Sequence, residues 1–320
     1  MGAQFRDVAV SISSTALTIG TLTDGENGIR ADEFSRRSRR LKWVGVSTRA
    51  YNRKEPEMIL QDKVAVIYGA GGAIGGAVAR AFAREGASLF LTGRQRASVE
   101  AVAKEIHSAG GSAKAAEVDA LDEKAVDKHL QSMIDKAGRI DISFNAVGSP
   151  NAKILGVPLI ELDVEQFSLP IATYTRSYFL TARLAARHMV PNKSGVIMGV
   201  TALPSRMGSR LNGGYGPAMA AMEAHTRDLS AELAPQGIRV VGLRPHGMPE
   251  TSIMKEVFEL KASRIGMTWE QFQGYLAGMT HPRRVMKLEE VANMAVFMAS
   301  DKASGMTGTT VNLTMGSLDD

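Results

Sequence analysis

Three short stretches carry backbone or side chains able to do chemistry. The first is Val64-Ala65-Val66-Ile67-Tyr68-Gly69-Ala70-Gly71-Gly72-Ala73-Ile74-Gly75, an apolar run that breaks into glycines. Glycines let a backbone approach an anion closely. A helix starting there adds unpaired N–H groups and a positive dipole end, so the stretch suits a pyrophosphate. Its spacing departs from G-x-G-x-x-G, because Ile74 fills the last glycine position, and a tight strand-to-helix turn explains the same residues. The second stretch is Gly213-Gly214-Tyr215-Gly216-Pro217-Ala218-Met219, where the Tyr215 phenol can give or take a proton. The third is Arg244-Pro245-His246-Gly247-Met248-Pro249-Glu250-Thr251, where His246 offers an imidazole that titrates near neutrality. The chain has no cysteine, which excludes a disulfide scaffold, a thiolate nucleophile and a Cys-ligated metal.

The elements that must position these residues alternate. Short apolar strands are expected at Lys63–Tyr68, Ser88–Thr92, Lys114–Val118, Asp141–Asn145, Gly195–Val200, Ile238–Leu243 and Thr310–Thr314. Amphipathic helices fall between them: one through Arg84, one at Ser98–Ala109, and others over 164–190, 217–234 and 288–299. Such alternation predicts a parallel sheet covered on both faces, an α/β doubly wound (Rossmann) fold. Pro170, inside the 164–190 helix, should kink it or mark its true start.

Taken in order, these stretches resemble the short-chain dehydrogenase/reductase family over about residues 60–316. Gly69-xxx-Ala73-x-Gly75 is similar to that family's glycine turn, with Ala in the middle slot. Leu89-Phe90-Leu91-Thr92-Gly93-Arg94 resembles the end of its second strand. An acid there would bond the ribose of NAD, whereas Gly93-Arg94 leaves room and a cation for a 2′-phosphate. Val118-Asp119-Ala120-Leu121-Asp122 resembles the adenine-contacting strand end, and Asn145-Ala146-Val147-Gly148 the Asn-Asn-Ala-Gly stretch. Leu288–Ala292, Ala299–Asp301, Gly308 and Asn312–Gly316 continue the match. The resemblance implies a nicotinamide dinucleotide held by Gly69, Gly71, Gly72, Ala73, Ile74, Gly75, Arg94, Asp119, Ala120, Asn145, Ala146, Val147 and Thr251, with NADP(H) preferred over NAD(H).

The catalytic slots depart from the family. A Ser, a Tyr and a following Lys, aided by an Asn, do its chemistry: the Tyr exchanges a proton with the substrate oxygen, the Lys lowers the Tyr pKa, and the Ser orients the carbonyl. Tyr215 fits the Tyr slot at the start of a helix. Met219 stands in the usual Lys register and Met222 in the longer register of the enoyl-reductase branch. Ala202 stands in the Ser slot, with Thr201 and Ser205 as hydroxyl neighbours, and Tyr174 in the Asn slot. A free Tyr is ionised about one part in a thousand at pH 7, so reducing a carbonyl suits Tyr215 better than oxidising an alcohol. Arg206, Arg210 and His225 are cations that could lend support, though solvated surface charges explain them as well. His246 occupies the Gly slot of the Pro-Gly loop beside the nicotinamide, where it could supply a proton.

Residues 58–320 are therefore expected to be one dinucleotide-binding catalytic domain, with a small helical lid over about 248–282. Phe258, Ile265, Met267, Trp269 and Phe272 make that lid apolar, which suits a hydrophobic small molecule or simply packs two helices onto the body. Residues 1–57 show no hydrophobic period and hold ten Lys/Arg against seven Asp/Glu of the chain's net +5. They read as a disordered leader or as sequence upstream of a later start. The body is close to balanced in charge, so no nucleic-acid partner is expected. The longest uncharged runs, Val8–Thr23 and Val64–Ala79, are too short and too polar to span a membrane, and a cytoplasmic location is expected. By analogy with the family, the 164–190 and 217–234 helices would pair copies into a dimer or tetramer. The favoured function is NADP(H)-dependent hydride transfer to or from a carbonyl or alcohol, as a carbonyl reductase ahead of an enoyl reductase. The alternative is a cofactor-binding sensor or scaffold without efficient turnover.

Overall fold

The computed structural model describes residues 58–149, 154–249 and 252–319, without the side chains of 252–254 and 256–257, together with Ile12–Ser13 and Ala16–Leu17. The chain divides into two compact units, Met1–Glu55 and Pro56–Asp320. In the first, Ile12–Ser13 pairs antiparallel with Ala16–Leu17; the leader expected over 1–57 otherwise falls outside the described residues.

In the second unit seven strands form one sheet: β1 Val64–Tyr68, β2 Ser88–Gly93, β3 Ser112–Glu117, β4 Ile142–Asn145, β5 Gly195–Val200, β6 Ile238–Pro245 and β7 Thr309–Leu313. Their order is β3-β2-β1-β4-β5-β6-β7, and each neighbouring pair is parallel. Chain direction across the sheet reverses between β1 and β4, so the crevice at their carboxyl ends is the topological switch point where ligands bind in such sheets.

Eight helices occur among the described residues, α1 Ala73–Arg84, α2 Arg96–Ser108, α3 Glu123–Ala137, α4 Val164–Met189, α5 Tyr215–Leu233, α6 Ser252–Arg264, α7 Trp269–Gly278 and α8 Leu288–Ala299, and all but α6 and α7 cover the faces of the sheet. β1 is buried along its length because it serves two cores at once. Ala65 and Ile67 pack with Phe82 of α1, Val102 of α2 and Val291 of α8. Val64, Val66 and Tyr68 pack with Leu130 of α3, Tyr178 of α4 and Met222 of α5. The alternation of side chains along a strand produces this division.

Local chemistry sets the helix starts. Asp122 caps α3 by accepting from Lys124 N and Ala125 N, and Gly138 ends it in the left-handed region at φ 75°. Asp163 caps α4 by accepting from Gln166 N, so the helix begins before Pro170 and runs through it. Of the two expectations for Pro170, the one that made it the helix start does not hold. α2 starts two residues earlier than expected, at Arg96. Beyond β6, α6 and α7 enclose a small core of their own around Ala262, Phe272 and Leu276, with Phe258, Ile265, Met267 and Trp269 against it.

Candidate active site

The glycine turn lies between β1 and α1. Ala70 N donates to Thr92 O at 2.9 Å, extending the β1–β2 ladder into the turn. Gly69 has φ +74°, and a Cβ there would lie 2.4 Å from Ala146 O. At Gly75 a Cβ would lie 2.3 Å from Gly69 O, so only glycine lets α1 seat this close over the turn. Gly72 precedes α1 without a side-chain cap, and the first turn, which holds Ala73 and Ile74, contains no acid. The first N–H groups of α1 are therefore left for an anion, and the cradle fits a pyrophosphate.

Around this turn stand the other residues expected at the dinucleotide. Arg94, just past β2, is exposed and forms no ion pair among the described residues, whereas Arg96 is held by Glu100 at 2.7 Å. Beyond β3, Asp119 Oδ1 accepts from Leu121 N at 2.9 Å and shapes the bend beside buried Ala120. Asn145 is buried; its Nδ2 donates to Thr181 Oγ1 at 3.0 Å and its Oδ1 accepts from Val147 N at 3.1 Å. Ala146 N donates to Tyr68 O at 3.0 Å. Asn145 thus fixes the Ala146–Val147 backbone against the glycine turn. Gly71 and Gly72 are exposed at the crevice. Thr251 lies outside the described residues.

Tyr215 is the first residue of α5, and its placement depends on the residue before it. A Cβ on Gly214 would lie 1.9 Å from Phe167 O and 3.1 Å from Pro170 Cγ, so the start of α5 presses directly on the proline turn of α4. The half-buried Tyr215 ring meets Tyr174 edge-on, with centroids 5.6 Å apart and planes at 70°. The Tyr174 hydroxyl accepts from Ser149 N at 3.3 Å, which ties the segment after β4 to the pair. Burial, and secondarily the neighbouring Tyr174, push the Tyr215 phenol well above its ordinary pKa. Among the described residues no cation offsets this, so the phenol is held in its neutral form.

The expected supports are not brought to it. Met219 and Met222, in the two Lys registers, are buried in the core between α5 and the sheet. Arg206 and Arg210 are exposed, and His225 packs on the rings of Tyr178 and Phe179. Beside the Ser slot, Thr201 and Ser205 donate to Glu223 Oε1 at 3.1 and 2.5 Å. Arg244 reaches the same carboxylate through two bonds, Nε to Oε1 at 2.7 Å and Nη2 to Oε2 at 3.0 Å. Burial raises the Glu223 carboxyl, but the Arg244 guanidinium and the Ser205 and Thr201 hydroxyls outweigh it and hold the pKa below the ordinary value. The sequence analysis missed this network. Its signal was a Glu inside the apolar Ala218–Ala224 run and an Arg ending an apolar strand.

His246 is 2% exposed, and neither ring nitrogen has a side-chain hydrogen-bond partner among the described residues. Burial lowers its pKa, with the Gly247 backbone opposing. The adjoining lid is close: a Cβ on Gly247 would lie 3.1 Å from Phe258 Cζ. Lys261 of α6 donates from Nζ to Ser209 Oγ at 3.0 Å and to Asn212 Oδ1 at 2.8 Å, three residues before Tyr215. Burial lowers its pKa to about 8.

A family model described as enoyl-(acyl carrier protein) reductase matches residues 69–317. The chain belongs to the short-chain dehydrogenase/reductase family. A relative from Bacillus subtilis (strain 168), described as an uncharacterized oxidoreductase, YxbG, is 31% identical over 78% of this chain and 88% of its own. (+)-Borneol dehydrogenase 2 of Salvia officinalis is 28% identical over 82% of this chain and 93% of its own. Among solved structures, a 7α-hydroxysteroid dehydrogenase in complex with NADH and 7-oxo glycochenodeoxycholic acid superposes with a TM-score of 0.72. It is 27% identical, covering 81% of this chain and 96% of its own. Family membership makes the chain an NAD(P)-dependent oxidoreductase acting on alcohol or carbonyl groups, so the scaffold alternative is not favoured. Among the described residues, no helix is long and apolar enough to cross a membrane.

Proposed function

We propose that this chain is an NADP(H)-dependent reductase of a carbonyl on an apolar small molecule, with Tyr215 as the proton donor. The observation that carries the reading is the packing of Tyr215 edge-on against Tyr174, itself bonded to the segment leaving β4 beside the switch-point crevice: a phenol kept neutral by that burial suits donation to a carbonyl oxygen, not abstraction from an alcohol. When bound, the nicotinamide supplies the hydride. The chain's own part is to hold the dinucleotide and to deliver the proton. The glycine turn and the α1 N-terminus receive the pyrophosphate, and Asn145 keeps the Ala146–Val147 backbone in place beside it. Arg94, free of any acid, supports preference for the 2′-phosphate. Phe258 of α6, whose ring would lie 3.1 Å from a Cβ on Gly247 in the loop after β6, supports an apolar substrate there, with 248–282 as its lid and 58–320 as the working domain. A shallow groove between α4 and α5, lined by Ala172, Phe179, Ala221, Ala224 and His225, supports pairing with a second copy through those helices.

Nucleotide titration by fluorescence and turnover of a carbonyl panel test the reading together. Arg94→Ala should weaken NADPH binding about tenfold or more, the loss of one charge-assisted contact, and leave NADH unchanged. Tyr215→Phe should lower kcat about 10²-fold or more with nucleotide affinity intact. NADPH binding that ignores Arg94→Ala would overturn the cofactor preference, and full activity in Tyr215→Phe would overturn the role of the phenol.

A further inference from the structure

The hydroxyl that the family places at the end of β5 is missing, and its two nearest substitutes are committed elsewhere. Ala202 fills the slot. Thr201 Oγ1 and Ser205 Oγ both donate to Glu223 Oε1, a carboxylate only 2% exposed. Turning either hydroxyl toward a substrate would remove a donor from a buried charge, which is strongly unfavourable.

The neighbouring strand ends in a different hydroxyl. β4 lies beside β5 with Asn145 opposite Gly199, so the segments leaving their carboxyl ends start side by side. Four residues past Asn145 comes Ser149, whose backbone N donates to Tyr174 Oη at 3.3 Å. Tyr174 in turn meets the Tyr215 ring at 5.6 Å. Ser149 Oγ is shielded from solvent and has no hydrogen-bond partner among the described residues. Gly148, just before it, is exposed, with open space where a side chain would stand. A buried hydroxyl with nothing to bond is unusual enough to require a reason, and one aimed at a ligand supplies it. His246 is orphaned as well, but no described contact ties it to Tyr215.

We propose that Ser149 Oγ hydrogen-bonds the substrate's carbonyl oxygen beside Tyr215, taking over from the β5 slot. The inference rests on Tyr215 acting as the acid in carbonyl reduction. As hydride reaches the carbonyl carbon, the C=O π pair moves onto oxygen. Ser149 O–H holds that growing charge while Tyr215 O–H delivers its proton, leaving an alcohol and a tyrosinate that solvent reprotonates. A preset donor on a developing oxyanion is worth about 10²-fold in rate. Tyr174 is a positioning residue that fixes the segment carrying Ser149.

The test compares native protein, Ser149→Ala, Ser149→Thr and the double variant Ser149→Ala/Ala202→Ser. The readouts are NADPH affinity, thermal melting without nucleotide, and kcat and KM on the carbonyl panel. Ser149→Ala should lose about 10²-fold, chiefly in kcat, with NADPH affinity and apo melting unchanged because the hydroxyl has no partner to lose. Ser149→Thr should keep most activity, and Ala202→Ser should restore about tenfold or more to Ser149→Ala. If native protein turns over and Tyr215→Phe does not, yet Ser149→Ala stays within about threefold of native, the inference fails while the reading beneath it stands. A lowered melting temperature with weakened NADPH binding in Ser149→Ala would make the serine structural and also overturn it. If the native protein reduces no carbonyl, both fall together.

Discussion

At 2% and 3% exposure, the Glu223 carboxylate and the Arg244 guanidinium have no solvent to share their charge, and each depends on the other. Removing one partner of such a pair typically costs about 3–5 kcal/mol, because a naked charge is left in the interior. Arg244→Ala should accordingly lower the unfolding free energy measured in urea by that much. The paired change Glu223→Leu/Arg244→Met should recover most of the loss, and equal destabilisation in both variants would refute the account. This pair also marks the limit of what the sequence made legible among residues. Tyr215 and the glycines of the turn could be read because backbone geometry and local spacing fix their roles. Glu223, Arg244 and Ser149 could not, since their roles depend on partners 18 positions or more away in the chain, or on the absence of one.

Elements were legible where pattern is local. All seven strands of the sheet occur where period and β-branched content put them, with ends moved by a residue or two because ladder bonds outlast apolar runs at β3 and β6. α4 begins at Val164 as its apolar period puts it, and the alternative start at Pro170 fails because Asp163 as a cap outweighs Pro170 as a breaker. The α6–α7 pair is held to the body by a contact no pattern shows, Lys261 to Ser209 and Asn212. Hydrogen bonds from a charged donor are worth about 1.5–3 kcal/mol, so Lys261→Met, which keeps the length and removes the donor, should loosen α6 and α7. Limited proteolysis within 252–279 should speed up about tenfold, while urea unfolding of the sheet stays where it was. Unchanged cleavage would show that the small lid core alone sets closure.

At the scale of the molecule, several imidazoles are folded in as neutral groups. Burial lowers His129 to about 4, with Lys136 adding to the effect, and burial also lowers His225 and His246. Their folded pKa values lie below the unfolded value near 6.5, so the unfolded chain takes up protons that the folded chain refuses. The stability they contribute is complete above about pH 6.5 and falls as pH drops toward the folded values, by up to about 1.4 kcal/mol per pH unit for each group. Melting temperature should therefore fall between about pH 6.5 and 5. His129→Phe should blunt the slope, and a flat profile would refute the assignment.

The turn at Gly69 and Gly75 is confined by main-chain oxygens, Ala146 O and Gly69 O, which any sequence of the fold must carry. The neighbourhood of Tyr215 is confined by side chains: Tyr174, Ser149 and Ala202. Drift therefore meets unequal resistance at the two ends of one crevice. A laboratory lineage randomised at those three positions would explore new reactions while its grip on the dinucleotide stayed with the backbone.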